Sequence, residues 1–203
     1  MLISFEGVDG CGKSTQIELL QQHLEQKHSK KVRIYREPGG VPLAEELRSL
    51  LLDIRHTIDP VSELLMFSSA RSQLVQERIT PDLSQGTIVI LDRYFDSTTA
   101  YQGYGRGVLS LEDIHRLNKW ASHGQIPDVT FYLMLSWQTA KYRMKDRDQN
   151  QDRMERSGSD FFERVISGYD ELAQREQRIC TIDATASIEE VFEIVRSRVE
   201  ELI

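Results

Sequence analysis

Short apolar runs alternate along this chain with longer stretches in which apolar residues return every three or four positions. Residues 2–6, 32–36, 87–92, 129–135 and 178–183 are apolar and β-branched at strand length, and predict five strands. The segments between them carry a helical period. The clearest is the last, where Ile188, Val191, Phe192, Val195, Val199 and Leu202 share one helical face behind Ser187-Ile188-Glu189-Glu190, the pattern of a capping box. Strands that are apolar throughout and joined by helical crossovers predict an α/β fold with a five-stranded parallel sheet covered on both faces. The binding crevice of such a sheet lies at the C-terminal ends of its strands.

The 203 residues, 39% apolar, suffice for one domain with a full core, and no repeat, low-complexity tract or Pro/Gly/Ser linker divides them. We expect a single domain over 1–203. The segment 143–156 is dense in both signs of charge and in Asn and Gln, and is expected to form a mobile surface loop. With 32 acidic against 25 basic residues, the net charge of −7 argues against a protein that coats nucleic acid or an anionic membrane. The longest apolar runs, 88–91 and 131–135, fall far short of the roughly 20 residues of a membrane span. The N-terminal residues show no signal-peptide pattern, so a cytoplasmic protein is expected. Cys11 and Cys180 form no CxxC pair and read as free thiols. The five histidines show no metal-binding spacing, and read as surface or helix-end residues and not as zinc ligands.

Directly after the first strand stands Gly7-Val8-Asp9-Gly10-Cys11-Gly12-Lys13-Ser14, a GxxxxGK[ST] phosphate loop that opens a helix marked by Ile17, Leu20 and Leu24. Its glycines let backbone amides wrap phosphate oxygens, Lys13 adds a point charge, and Ser14 offers a hydroxyl to Mg²⁺. Nucleoside-triphosphate binding follows. An NKxD guanine reader is absent, since Asn118-Lys119-Trp120-Ala121 lacks the aspartate. Asp92 ends an apolar strand as a Walker-B carboxylate does, where it either serves Mg²⁺ or orients Arg93 by an ion pair.

Two further segments follow strands: Arg36-Glu37-Pro38-Gly39-Gly40 and the run from Asp92-Arg93-Tyr94 to Gly103. Between them, Phe67 and Arg71 are four apart and share one helix face, an aromatic plane beside a planar donor fork. That pair suits a nucleobase, although Leu64, Leu65, Met66 and Leu74 around it also make Phe67 a core candidate. Arg93 or Arg48 can hold a phosphate through charge-assisted hydrogen bonds.

GVDGCGKST, REPGG with the downstream LRSLLLD, and DRYFDSTTAYQGYGRG together resemble the thymidylate kinase family in its bacterial pattern, over nearly the whole chain. The resemblance implies a P-loop fold, transfer of the γ-phosphoryl group of ATP to dTMP with Mg²⁺, a homodimer, and a lid at about 141–156. It also implies a set of roles. The loop residues Gly7, Val8, Asp9, Gly10, Cys11, Gly12, Lys13, Ser14 and Thr15 would bind ATP, with Arg143 against adenine and Asp183-Ala184-Thr185 lining its pocket. Ser14 and Asp92 would serve the metal. Phe67 would stack on thymine, Arg71 would read its carbonyl edge, and Thr98 and Gln102 would lie nearby. Tyr101 would pack on the deoxyribose, Arg93 with Arg48 would hold the acceptor phosphate, and Pro38 and Ser97 would complete the site. Asp9 and Glu37 would lie near the sugar, the acceptor and the metal-linked waters.

Bringing two anionic phosphates into line needs cations from several directions. Some members carry an arginine in the phosphate loop where this chain has Gly10. The lid is then expected to supply it, through Arg147 or Arg153. Two other readings stand beside this one: a deoxynucleoside kinase acting on thymidine, and a nucleotide-driven switch without turnover.

Overall fold

The computed structural model describes residues 1–145 and 152–203. Five strands, β1 (Leu2–Glu6), β2 (Val32–Arg36), β3 (Ile88–Asp92), β4 (Val129–Met134) and β5 (Ile179–Asp183), pair in the order β2-β3-β1-β4-β5, every pair parallel. Parallel neighbours require long crossovers, and helices supply them. α1 (Lys13–His28) joins β1 to β2, and α2 (Pro42–Leu52), α3 (Pro60–Leu74) and α4 (Thr80–Ser84) lead to β3. α5 (Phe95–Thr98) runs into a π-helical stretch, Thr99–Gly105, before α6 (Leu111–Ala121) and β4. α7 (Trp137–Met144) and α8 (Ser159–Arg175) lead to β5, and α9 (Ile188–Glu200) closes the fold behind the capping box expected at Ser187 and Glu190.

The predicted strands stand to within one residue at their ends. Thr87 falls outside β3 because its N–H donates to Asp82 O and closes the preceding turn. Burial on both faces holds for β1 and for nearly all of β3 and β4. It fails at the edge, where β2 leaves Arg33, Ile34 and Arg36 exposed.

Alternation along the central strands sorts side chains to two layers. Ile3, Phe5, Ile90 and Phe131 pack against Ile17, Leu20 and Leu24 of α1 and Val191, Val195 and Val199 of α9. Leu2, Val89 and Leu91 face the other way, onto Ala44 of α2 and Ala70 and Leu74 of α3. Each such apolar side chain contributes roughly 1.5–3 kcal/mol through burial. In register, Phe5 lies opposite Asp92 on one side and Phe131 on the other, so β1, β3 and β4 end together and their following loops converge.

The expected mobile surface loop at 143–156 is corrected where it is described. Arg143 and Met144 belong to α7, and Met154 packs into the apolar core at 8% exposure. A methionine amid charges anchors the segment, because its apolar side chain gains more from burial than from solvent. Among the described residues, no helix is long and apolar enough to cross a membrane.

Candidate functional site

The phosphate loop turns sharply out of β1 with Gly7 at φ +131° and Gly12, just before α1, at φ +99°. Both values suit glycine alone. A Cβ at Gly7 would stand 2.7 Å from Leu133 O, so the loop also lies too close to the end of β4 for any side chain. Lys13, 6% exposed, curls back to donate to Gly7 O at 3.1 Å and Val8 O at 3.3 Å. Val8 and Cys11 turn into the core, so their side chains are removed from the loop's open face.

A cavity of about 980 Å³ opens over the loop. Asp9, Gly10, Gly12, Lys13, Ser14 and Thr15 line it together with Asp92 and Arg93. Lys141 and Arg156, at the bounds expected for the lid, also border it, as does Trp137, which lies outside every segment expected to carry the site. Trp137 is held by stacking on Phe162, with ring centroids 3.7 Å apart. Arg143 donates to Ala184 O at 2.9 Å, which joins α7 to the turn after β5.

A second, smaller cavity of about 220 Å³ lies beside the first. Asp9, Glu37, Pro38, Arg48, Phe67, Arg71, Arg93, Ser97, Thr98, Tyr101 and Gln102, every residue expected on the acceptor side, line it. Phe67 is half-buried at this cavity and is not in the core clusters. Arg71, 2% exposed, is aimed by Glu37 Oε2 at 2.7 Å and Thr98 Oγ1 at 2.9 Å. Arg48 donates to Pro38 O at 3.0 Å.

The two cavities meet at Asp9, Glu37, Arg48, Arg93 and Glu155, which line both. Arg93 stands there with a left-handed backbone at φ +71°. It donates to Gly7 O at 2.8 Å and Asp9 Oδ1 at 2.7 Å, and its guanidinium lies 5.2 Å over the Tyr101 ring. Its ion-pair partner is therefore Asp9, whereas Asp92, the partner weighed from the sequence, lines the donor cavity. Desolvation pushes the Asp9 carboxyl up, but Arg93 and Lys13 outweigh it and hold the group down at about 2. Burial pushes Glu37 up to about 7 against the pull of Arg71, and its Oε1 is buried without a hydrogen-bond partner.

Beneath this junction lies Glu6, fully buried at the end of β1. It accepts from Tyr94 N at 2.7 Å, Ser97 Oγ at 2.6 Å and Tyr169 OH at 3.1 Å. Burial, aided by Asp96, raises it to about 7. An acid closing an otherwise apolar strand is the sequence signal of this buried carboxyl.

Of the two lid arginines weighed, Arg147 lies outside the described residues. Arg153 is a correction: its guanidinium pairs with Glu63 Oε2 at 2.6 Å and donates to Leu51 O at 2.7 Å, and it lines neither cavity. Glu63, 1% exposed, also accepts from Gln102 at 3.0 Å and Arg106 at 3.3 Å. A buried carboxylate captured Arg153 because it needs compensating charge. Asp152, Met154 and Glu155 are thereby drawn over the smaller cavity, while Arg156 and residues 157–159 border the larger one.

Residues 5–195 match the family model described as Thymidylate kinase. The chain is 46% identical to the thymidylate kinase of Chlorobaculum parvum over 211 aligned positions, covering 100% of this chain and 96% of that one. It is 44% identical to that of Thermosipho africanus, covering 98% of each. The crystal structure of thymidylate kinase from Ehrlichia chaffeensis superposes with a TM-score of 0.79 at 33% identity, over 98% of both chains.

Proposed function

The chain belongs to the thymidylate kinase family and transfers the γ-phosphoryl group of ATP to dTMP, giving dTDP and ADP; on that premise we propose the following division of labour. Thymine stacks on Phe67, with Arg71 donating to its carbonyl edge and Thr98 and Gln102 beside it. Tyr101 packs on the deoxyribose and disfavours a 2′-hydroxyl. Arg93, steadied by Asp9 and assisted by Arg48, holds the acceptor phosphate, with Pro38 and Ser97 completing the wall. The observation that carries this reading is the junction itself, where Arg93 and Asp9 line the donor and acceptor cavities at once.

On the donor side the amides of the phosphate loop and Lys13 hold the triphosphate, and Arg143 flanks adenine near Ala184. Ser14 and Asp92, oxygen donors on the wall of the larger cavity, fit Mg²⁺, which takes one or two carboxylates plus waters and phosphates. When bound, Mg²⁺ neutralises charge on the transferring phosphates. With Arg153 paired to Glu63, the bridging role falls to Arg147, the other lid arginine weighed, and Arg147→Ala tests it by a loss of kcat at unchanged dTMP affinity. Glu37 sits at the junction and orders the acceptor side through Arg71.

Leu43 and Leu50 of α2, Val61 and Leu65 of α3 and Trp120 of α6 are exposed on neighbouring helices, and support a homodimer through that face. Sedimentation equilibrium at twice the chain mass is the expected result. The reaction is assigned to the cytoplasm. ADP release from MgATP, with dTMP, dUMP, dCMP, AMP and thymidine offered separately, tests the site assignments: dTMP preference supports them. Equal turnover of dCMP removes the base-reading role of Phe67 and Arg71, and turnover of thymidine removes the phosphate-holding role of Arg93.

A further inference from the structure

His23 and His28 project from the C-terminal half of α1, and Glu200 ends α9; the three meet where the two helices finish side by side. His23 Nε2 donates to Glu200 Oε1 at 2.9 Å, and His28 Nε2 lies 3.7 Å from the same oxygen. All three ligand atoms fall within 4.8 Å of one another. A simple surface pair would need one histidine. Here two rings, with centroids 5.2 Å apart, converge on one carboxylate oxygen.

The carboxylate is aimed. Arg196 Nη1 holds Glu200 Oε2 at 2.7 Å and is itself gripped by Glu193, so Oε1 is left facing the imidazoles. The edge of the Phe192 ring, 6.1 Å away by centroids, backs His23. Such outer contacts orient metal ligands and fix their geometry.

We propose that His23, His28 and Glu200 form a binding site for a divalent transition ion of the Zn²⁺ type, which clamps the end of α9 to α1. Zn–N and Zn–O bonds of about 2.0–2.2 Å place tetrahedral ligand atoms about 3.3–3.5 Å apart. The observed spacings bracket that value, and small rotations of these partly exposed side chains close the difference. Each imidazole binds as a neutral ring through Nε2, its proton moving to Nδ1, and water completes the sphere. Imidazole ligands select Zn²⁺, Co²⁺, Ni²⁺ or Cu²⁺ over Mg²⁺, so the ion that serves the kinase reaction does not compete. The site stands on the order of 15–20 Å along α1 from Lys13, at 1.5 Å per residue, and is separate from both nucleotide cavities. The histidine spacing in sequence gave no sign of it, because His23 and Glu200 are 177 positions apart.

The test uses the full chain stripped with a chelator. Co²⁺ is titrated while its visible ligand-field bands are read, Zn²⁺ is then added in competition, and the melting temperature is followed with and without Zn²⁺. One equivalent of Co²⁺ with imidazole-type bands, displaced by Zn²⁺ and not by millimolar Mg²⁺, is expected, with a rise in melting temperature that EDTA reverses. His28→Ala and Glu200→Gln should each weaken binding by about tenfold or more, and Arg196→Ala by about tenfold. Their turnover of MgATP and dTMP in buffer freed of transition metals but containing Mg²⁺ should match the parent, which verifies folding. Identical Co²⁺ titrations for parent and variants, or no bands with the parent, overturn the proposal without touching the kinase assignment.

Discussion

Arg93 Nη2 stands 2.7 Å from Asp9 Oδ1, an ion pair that ties the end of β3 to the phosphate loop after β1. The guanidinium is placed by a backbone that a side-chain-bearing residue rarely adopts, at φ +71°. Left-handed backbone at a non-glycine costs of order 1 kcal/mol or more, and it persists because Gly7 O, Asp9 and Tyr101 over-determine the arginine. Arg93→Ala should lower kcat/KM for dTMP by roughly 10³ or more while leaving ATP affinity near the parent value. Steady-state kinetics with calorimetric ATP titration measures both, and an equal loss of ATP affinity would transfer Arg93 to the donor side.

Phe67→Ala should weaken dTMP binding by about 1–3 kcal/mol, the range for removing an aromatic platform under a base. Because Phe67 lines the cavity and not the core, its removal should leave the denaturation midpoint nearly unchanged. A large drop in midpoint at unchanged dTMP affinity would return the residue to a packing role.

Glu63 is the single acid within α3 and lies buried among Gln102, Arg106 and Arg153. Glu63→Gln leaves two guanidinium groups without their charge partner, a change that costs about 3–5 kcal/mol when such groups are fully buried. Arg106 and Arg153 keep 23% and 14% of their side-chain surface exposed, so the lower end of that range is expected in urea denaturation. KM for dTMP should rise as well, since Gln102 and Arg153 lose their charged partner. In the pair Glu63→Gln with Arg153→Ala, the two losses should sum to less than their separate values.

Buried Glu6 and Glu37 hold their protons up to about 7 against an ordinary 4.5. Both therefore bind a proton more tightly folded than unfolded. Between about pH 5 and 7 the native state carries the extra protons, and stability should fall as pH rises, by up to about 1.4 kcal/mol per pH unit for each group. Asp9, held down at about 2, acts in the opposite sense and only at more acid pH. Denaturant titrations of substrate-free protein at pH 5, 6 and 7 measure the slope, and Glu6→Gln or Glu37→Gln should each flatten it.

The sheet was readable because each strand is a short apolar run and each crossover a helical repeat, local patterns that need no knowledge of tertiary contacts. Of the residues that the resemblance grouped on the acceptor side, Asp9, Glu37, Pro38, Arg93, Ser97, Thr98, Tyr101 and Gln102 lie in motifs after strands and Arg48, Phe67 and Arg71 on α2 and α3, and all of them line one cavity. Glu63 escaped because a buried acid inside a helix is defined by partners far off in sequence: Gln102 is 39 positions away. Arg153 was misjudged for the same reason. Its charge suggested phosphate, but a carboxylate 1% exposed in α3 outcompeted that role, and nothing in the composition of 143–156 announced it. The His23, His28 and Glu200 cluster, split between the two ends of the chain, lies beyond any spacing rule.

Glu155 borders both cavities, on a segment tethered by Met154 in the core and Arg153 at Glu63. Whatever shifts this segment alters the walls of two binding sites together. Where occupancy of one site shifts the segment, affinity at the other changes with it, and thermodynamic reciprocity makes the factor identical in both directions. Titrating dTMP with and without a non-hydrolysable ATP analogue, and the analogue with and without dTMP, should return one common ratio. Severing the tether with Arg153→Ala should bring that ratio toward one, leaving two substrates that bind without sensing each other.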